Sequence, residues 1–310
     1  MIEIKLFDDS CKNEWDEFIE NSNVTSFLLK RDFIEYHKEN YEENSLMVYK
    51  NEKLIYIIPA CKIEKTFSSF HFLTYGGIIL SNDSYKFLDI EQSFREVIDY
   101  VKTTLNLKNI TIKRIPFIYY KKPNEDDLYL MFKNDFKLIG RQLSSTFNLN
   151  DFNIPNKKKY NYRKCINNGI ELIECLDSKN LIDIMSYNLK KYKKKPVHNY
   201  NQLNYLKSKF PNNIMFYEAK LNSEPLGGCI IFKVNRCIHI QYLCSTDLGR
   251  KKRVVDFIVN ELVKIYSDYE FLDYGISTEN NGEFLNYTLL NAKRELGFDS
   301  ICYDIYNKEL

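Results

Sequence analysis

The sequence predicts a mixed α/β chain, with helices on mixed sheets, folded as two similar lobes in tandem. Three observations carry this expectation. Residues 215–277 read as three strands, a helix and a further strand, and residues 45–115 repeat that element order. The chain's 310 residues suffice for two domains of ordinary size. The expected division is an N-terminal lobe over 1–150 and a C-terminal lobe over 151–310.

In the C-terminal half, residues 215–221 (MFYEAKL) form a short apolar run. The turn residues Asn222-Ser223-Glu224-Pro225 end it, and 226–234 (LGGCIIFKV) is a second run. Asn235-Arg236 turns the chain tightly into 237–245 (CIHIQYLCS). Gly249 then opens a helix on which Val254, Ile258, Leu262 and Ile265 recur at helical spacing, and 271–276 (FLDYGI) is a β-rich run after it. Upstream, the cationic run 156–163 (NKKKYNYR) starts a helix over about 158–167, stopped by Gly169 as a left-handed cap. A strand at 170–175 follows, then a helix at 179–192 with Leu181, Ile182, Met185 and Leu189 on one face. It runs into lysines 190–195, and a short helix at 200–210 ends at Pro211.

In the N-terminal half, residues 2–7 alternate as a strand. Ser10 is placed to cap a helix carrying Trp15, Phe18 and Ile19, and a second helix covers 30–39 with Phe33, Ile34 and His37 on one side. Residues 45–49, 54–63 and 70–80 read as strands, the first two joined by Lys50-Asn51-Glu52-Lys53. A helix near 90–105 and a strand at 109–115 complete the lobe. MVY at 47–49 aligns with MFY at 215–217, YIIPACKI at 56–63 with GGCIIFKV at 227–234, and FHFLTYGG at 70–77 with IHIQYLCS at 238–245. That alignment puts His71 and His239 in equivalent strands.

Composition removes several classes. Lys+Arg at 44 against Asp+Glu at 42 gives a net charge of +2, so nothing global calls for nucleic acid. Eight cysteines are scattered without a CxxC pair, and the opening MIEIKLFDDS is acidic and strand-like rather than basic then hydrophobic. Reduced thiols in a cytoplasmic protein are therefore expected, without membrane insertion, since no apolar run reaches spanning length. The four histidines, His37, His71, His198 and His239, show no ligand spacing, so no metal is expected. Walker, dinucleotide-binding and nucleophile-elbow patterns are absent.

One combination of segments is more specific: KKxYxxRxxxxxGI over 157–170, a segment PxH at 196–198, and the strand–GG–strand–QYL order. The helix start at Gly249-Arg250, the DYGIS strand at 273–277 and the closing LLNAKRELGF at 289–298 belong with them. Together these resemble the tandem-GNAT proteins related to the Fem peptidyltransferases of peptidoglycan bridge formation. No long charged heptad hairpin is present, and the compact form is similar to sugar N-acyltransferases that decorate nucleotide-linked amino sugars. The resemblance implies transfer from acyl-CoA to a dTDP- or UDP-linked amino sugar for cell-surface polysaccharides. An aminoacyl-tRNA-dependent peptidyltransferase acting on a peptidoglycan precursor is the alternative enzyme. A binding protein that keeps the fold without catalysis is the alternative of another class.

Acyl transfer to an amine needs a base, a held oxyanion and a released thiolate. The resemblance implies that the strand 238–245 presents backbone N–H groups to the thioester arm, and that the next helix start takes the pyrophosphate. Ser245, Thr246, Gly249, Arg250, Lys251 and Arg253 are the candidate donor contacts, with Tyr287. Arg253 and Val255 stand where the family pattern has small residues. Asp273 is the candidate base, acting directly or through water, or else it orients a neighbour. His239 and His198 are the other candidate bases or substrate contacts, against packing roles. Tyr242 and Tyr287 are candidate proton donors to the departing thiolate. For the acceptor, Lys158 and Arg163 are expected on the diphosphate, with Lys195, Tyr75 and Gly76 as further contacts.

Overall fold

The computed structural model describes all residues except His37, His71, Ser84, Phe152, Lys191 and Tyr192, so the readings that involve His37 and His71 lie outside the described residues. The chain divides into two compact units: residues 1–142, 278–284 and 302–310, and residues 143–277 with 285–301.

In the first unit the strands Ile2–Leu6, Leu46–Lys50, Lys53–Ile58 and Ile79–Leu80 form an antiparallel sheet. The central hairpin closes on Asn51 and Glu52, at φ 48° and 66°, the paired positive angles that match the twist of a two-residue turn. The helix Phe87–Thr103 lays Ile90, Phe94, Val97 and Val101 against Leu46, Val48 and Tyr56 of that sheet. A second strand set pairs Cys61–Ile63 with Thr66–Ser68, which runs parallel to Asn109–Lys113. The other edge of Asn109–Lys113 pairs with residues 305–309 of the last strand, Asp299–Glu309.

Three local expectations change here. The first helix, Lys12–Asn21, is preceded by a 3-10 turn whose cap is Asp8, which accepts the Ser10 N–H at 2.8 Å, so Ser10 lies inside the turn. The second helix ends early, as Arg31–Glu35 and then a 3-10 turn, Lys38–Asn40. The expected strand at 70–80 shrinks to Ile79–Leu80. Phe70 takes φ 32°, and Gly76 packs so closely that a Cβ would stand 2.6 Å from the Ser69 carbonyl oxygen. Phe70 and Phe72 spend their rings on Tyr41 rather than on a ladder. The alignment of 70–77 with 238–245 therefore fails among the described residues, where 70 and 72–77 form no strand.

In the second unit, Ile170–Cys175, Ile214–Leu221, Glu224–Val234 and Cys237–Ser245 pair antiparallel in that order. Cys237–Ser245 then runs parallel to Phe271–Ile276, whose far edge is antiparallel to residues 144–148. Apolar residues sort to the two faces by alternation. Ile231, Ile238, Ile240 and Leu272 meet the helix Val254–Ile265 through Val254, Phe257 and Ile258. The opposite face receives the helix Lys179–Lys190, whose Leu181 lies over Gly228. The left-handed cap at Gly169 forms as expected, at φ 75°.

The helix expected to open at Gly249 is two helices. Thr246 caps Asp247–Lys251 by accepting the Gly249 N–H at 3.0 Å, and Arg253, left-handed at φ 63°, breaks the chain before Val254–Ile265. Gly249 sits inside the first helix, buried against the neighbouring strand: a Cβ would stand 2.0 Å from the Leu226 carbonyl oxygen. Gly249→Ala should therefore destabilise the chain by about 2 kcal/mol through forced backbone displacement. Urea unfolding measures the loss.

Candidate active site

The strands Cys237–Ser245 and Phe271–Ile276 pair for three residues only, from Cys237↔Phe271 to His239↔Asp273. Beyond that pair Gly275, at φ 74°, shifts the register so that Ile276 lies opposite Ser144. The two strands thus part immediately after a histidine and an aspartate.

These two side chains are bonded. Asp273 is fully buried, its Oδ2 2.5 Å from His239 Nδ1 and its Oδ1 accepting the Ser144 hydroxyl at 2.7 Å. A carboxylate only accepts, so His239 Nδ1 carries a proton toward Asp273. Both carboxylate oxygens of Asp273 thus have a hydrogen-bond partner in this arrangement.

A second pair lies on the same face. The ladder with Glu224–Val234 matches Phe232 to His239, Ile231 to Ile240 and Ile230 to Tyr242, so one extra residue, Gln241, is bulged out. Phe232 and Ile230 are two apart and share a face, and residues opposite in a ladder point the same way. Tyr242 is thereby turned to the side of His239. Its hydroxyl lies 2.7 Å from His198 Nδ1 and accepts the His198 backbone N–H at 3.2 Å. Burial raises the Tyr242 hydroxyl above the ordinary tyrosine range, which keeps its proton in place. His198 is buried and lines a pocket of about 500 Å³ that Lys195 also lines.

Two of the donor candidates, Arg250 and Arg253, line a smaller pocket of about 280 Å³, with Val254, Tyr274, Lys158 and Lys293. Arg250 is already engaged: its guanidinium donates to Asn188 Oδ1 and to the Ser245 carbonyl, both at 2.9 Å, and meets the Asp247 carboxylate. The first turn of Val254–Ile265 holds a carboxylate of its own, Asp256, bound by Lys158 at 3.2 Å and by Asn161 at 2.5 Å. An incoming phosphate would share both cations with these partners. Lys158 thus lines the same pocket as Arg250 and Arg253.

The remaining candidates are dispersed. Lys251 and Arg163 are exposed and line neither pocket, as is Tyr287 at the start of Tyr287–Arg294. In the first unit Tyr75 is fully buried with its hydroxyl 2.8 Å from Ser26 Oγ, and its neighbour Gly76 is packed on Ser69. Among the described residues no group of His, Cys, Asp or Glu is arranged to hold a metal ion, and no helix is long and apolar enough to cross a membrane.

Two residues of this region went unread in the sequence. Ser144 is a small polar residue in the strand Lys137–Asn148, and nothing local marks it. Lys293 lies in the closing segment LLNAKRELGF and carried a signal, a lysine at helical spacing from Leu290 and Leu296. It is buried, donates to the Gly275 and Ile276 carbonyls at 2.7 and 3.1 Å, and lies over the Tyr274 ring.

No family model matches the sequence, and no curated protein matches it. Solved structures do. FemX superposes with a TM-score of 0.68 over 99% of this chain and 97% of FemX, at 11% identity. L-PGS from Bacillus licheniformis gives 0.62 over 97% of this chain and 91% of its own, also at 11%. A tandem GNAT protein from the clavulanic acid biosynthesis pathway gives 0.54 over 100% and 98%, at 8% identity. The chain has the tandem-GNAT, Fem-like fold.

Burial lowers the Lys293 amine from 10.5 to about 8, against the opposing pull of Asp273. The unfolded chain then binds more protons than the folded one between those values, so this group's contribution to stability rises with pH across the window. The Tm of the wild type relative to Lys293→Met should climb between pH 8 and 10.5. A difference flat with pH would remove the depressed amine.

Proposed function

We propose that this chain is an N-acyltransferase that moves an acyl group from acyl-CoA to the amino group of a nucleotide-linked (dTDP- or UDP-) amino sugar, as in the making of cell-surface polysaccharides. The single observation that carries the reading is the His239–Asp273 pair at the point where two parallel strands part. The parting exposes an edge of backbone along 240–245, and the pair sets a basic nitrogen beside it.

In this reading His239 Nε2 takes the proton from the acceptor ammonium or from the attacking amine. The amine nitrogen bonds to the thioester carbon, the C–S bond breaks, and the thiolate leaves as coenzyme A after taking up one proton. Tyr242, held by His198 and kept protonated by burial, is the group proposed to supply it. Asp273 and Ser144 fix the imidazole in the tautomer the base needs. Arg250, Arg253 and Lys158 supply cations for the donor's phosphates.

A second reading has one observation in its favour. The similarity to FemX (TM-score 0.68) exceeds that to the clavulanic acid tandem GNAT protein (0.54), which supports a donor of the aminoacyl-tRNA kind on a peptidoglycan precursor. The same base and proton donor serve either donor, because both reactions open an activated acyl group with an amine.

Mass spectrometry of purified protein with mixed acyl-CoAs and a panel of nucleotide-linked amino sugars should show one acyl mass added to one sugar, with free thiol in equal amount. A product formed only from aminoacyl-tRNA would replace the first reading by the second. Asp273→Asn should lower kcat by about 10²-fold or more with little change in KM, because it removes tautomer control rather than binding. An unchanged kcat would take Asp273 and His239 out of the reaction.

A further inference from the structure

The charge of the second unit is unevenly spread, and one helix collects it. Residues 152–170 hold five cations, Lys157, Lys158, Lys159, Arg163 and Lys164, and no Asp or Glu. All five lie on the helix Asn156–Asn167. Each residue turns the helix by about 100°, so Lys158, Tyr162 and Cys165 share a side, and those three are buried. Lys158 is drawn inward to Asp256 at 3.2 Å and Glu295 at 3.4 Å, and Lys159 donates to Asn153 Oδ1 at 2.8 Å. The outward side has Tyr160 at its crest, with Arg163 on one flank and Lys157 and Lys164 on the other, all four exposed.

The patch extends past the helix. The Cys165 thiol lies 3.2 Å from the Lys252 carbonyl oxygen. Burial and then Asp256 push that thiol up to about 11, and Lys252 and Lys164 pull against them, so both ammonium groups stand near it. Lys251, exposed, precedes Lys252. Helix-end electrostatics opposes this placement of charge. Lys157, Lys158 and Lys159 crowd the first turn, where the positive end of the helix repels cations and Pro155 supplies no capping side chain. An anionic partner outside the chain reverses the sign of that interaction.

Two further observations select the partner. A net charge of +2 gives the chain no long-range field of the kind nucleic-acid binders use, whereas an anionic membrane supplies the field itself and needs only a local patch. Tyr160 is 66% exposed, and Ile166, beside the Arg163 flank, is 46% exposed. An aliphatic side chain adds nothing to a phosphate contact. It is stabilised at the boundary of headgroups and acyl chains, where a tyrosine ring also settles with its hydroxyl in water. We propose that the helix Asn156–Asn167 docks the protein on an anionic lipid surface. It lies in the plane of that surface, with Lys157, Arg163, Lys164 and Lys251 on the lipid phosphates and with Tyr160 and Ile166 at the headgroup boundary. The proposal does not rest on the acyl-transfer reading.

The test is co-sedimentation of the full chain with vesicles of phosphatidylcholine alone and of phosphatidylcholine and phosphatidylglycerol in equal parts, at low and high salt. The proteins compared are the wild type, Lys157→Glu/Lys164→Glu and Tyr160→Ser/Ile166→Ser. All four positions are exposed, so both variants should keep the wild-type circular dichroism. The wild type should sediment with the mixed vesicles at low salt and with phosphatidylcholine at neither salt. The charge reversal should weaken binding by about tenfold or more, and Tyr160→Ser/Ile166→Ser should weaken it while leaving its salt dependence in place. Equal sedimentation with the two vesicle types, or a charge-reversed variant that binds as the wild type does, overturns the docking surface. Unchanged binding of Tyr160→Ser/Ile166→Ser overturns the insertion of those two side chains. A short RNA duplex bound by the wild type at a salt where the mixed vesicles are not bound overturns the lipid as the partner.

Discussion

A carboxylate with no exposed surface organises the second unit. Burying Asp273 is costly unless both oxygens are met, and two different strands meet them. Ser144 does so from residues 143–148 and His239 from Cys237–Ser245, while Asp273 stands on the strand between. The hydrogen bonds tie three strands at one level and leave the parallel pair free to separate beyond it. Gly275 makes the separation possible, since its φ of 74° lets the strand step across to Ser144 without a Cβ to strain the turn.

That constraint also sets the chemistry available. The imidazole has its Nδ1 held by a buried carboxylate, and the bulge at Gln241 turns a half-buried tyrosine to the same face. Base and acid candidates thus come from one strand, three positions apart, where an unbroken ladder would have put them on opposite faces. The second histidine arrives from the connection after Lys179–Lys190, the helix laid over that face. Tyr274 and the cation-lined pocket at the start of Val254–Ile265 belong to the other face, and Arg250 bridges from that pocket to Asn188 of Lys179–Lys190.

Competition among charges is the second theme. Arg250 and Lys158, both natural partners for phosphate, are held by Asp247 and Asp256 in the chain alone. Such pairs keep cations in place at the surface of a pocket at little cost, and they make phosphate binding an exchange of partners.

Much of the fold was legible in the sequence. Strand alternation, the Asn-containing turns and the left-handed Gly169 are local properties, and 170–175, 237–245 and 271–276 emerge with the bounds their patterns imply. The failures were also local in origin. At 70–80 the apolar β-formers were claimed by an aromatic cluster and a close backbone approach, and at Gly249 a packing glycine looked like a helix start. His239, Tyr242, His198 and Asp273 were readable as chemistry-bearing residues, whereas their pairing was not. The sequence alone determined which residues could form strands and which could exchange protons, because both follow from side-chain type and spacing. Only the tertiary structure decided that Ser144 and Asp273, 129 residues apart, share a hydrogen bond, and that a bulge brings Tyr242 round to His239. Ladder register and bulges are settled by the whole sheet, and no local pattern encodes them.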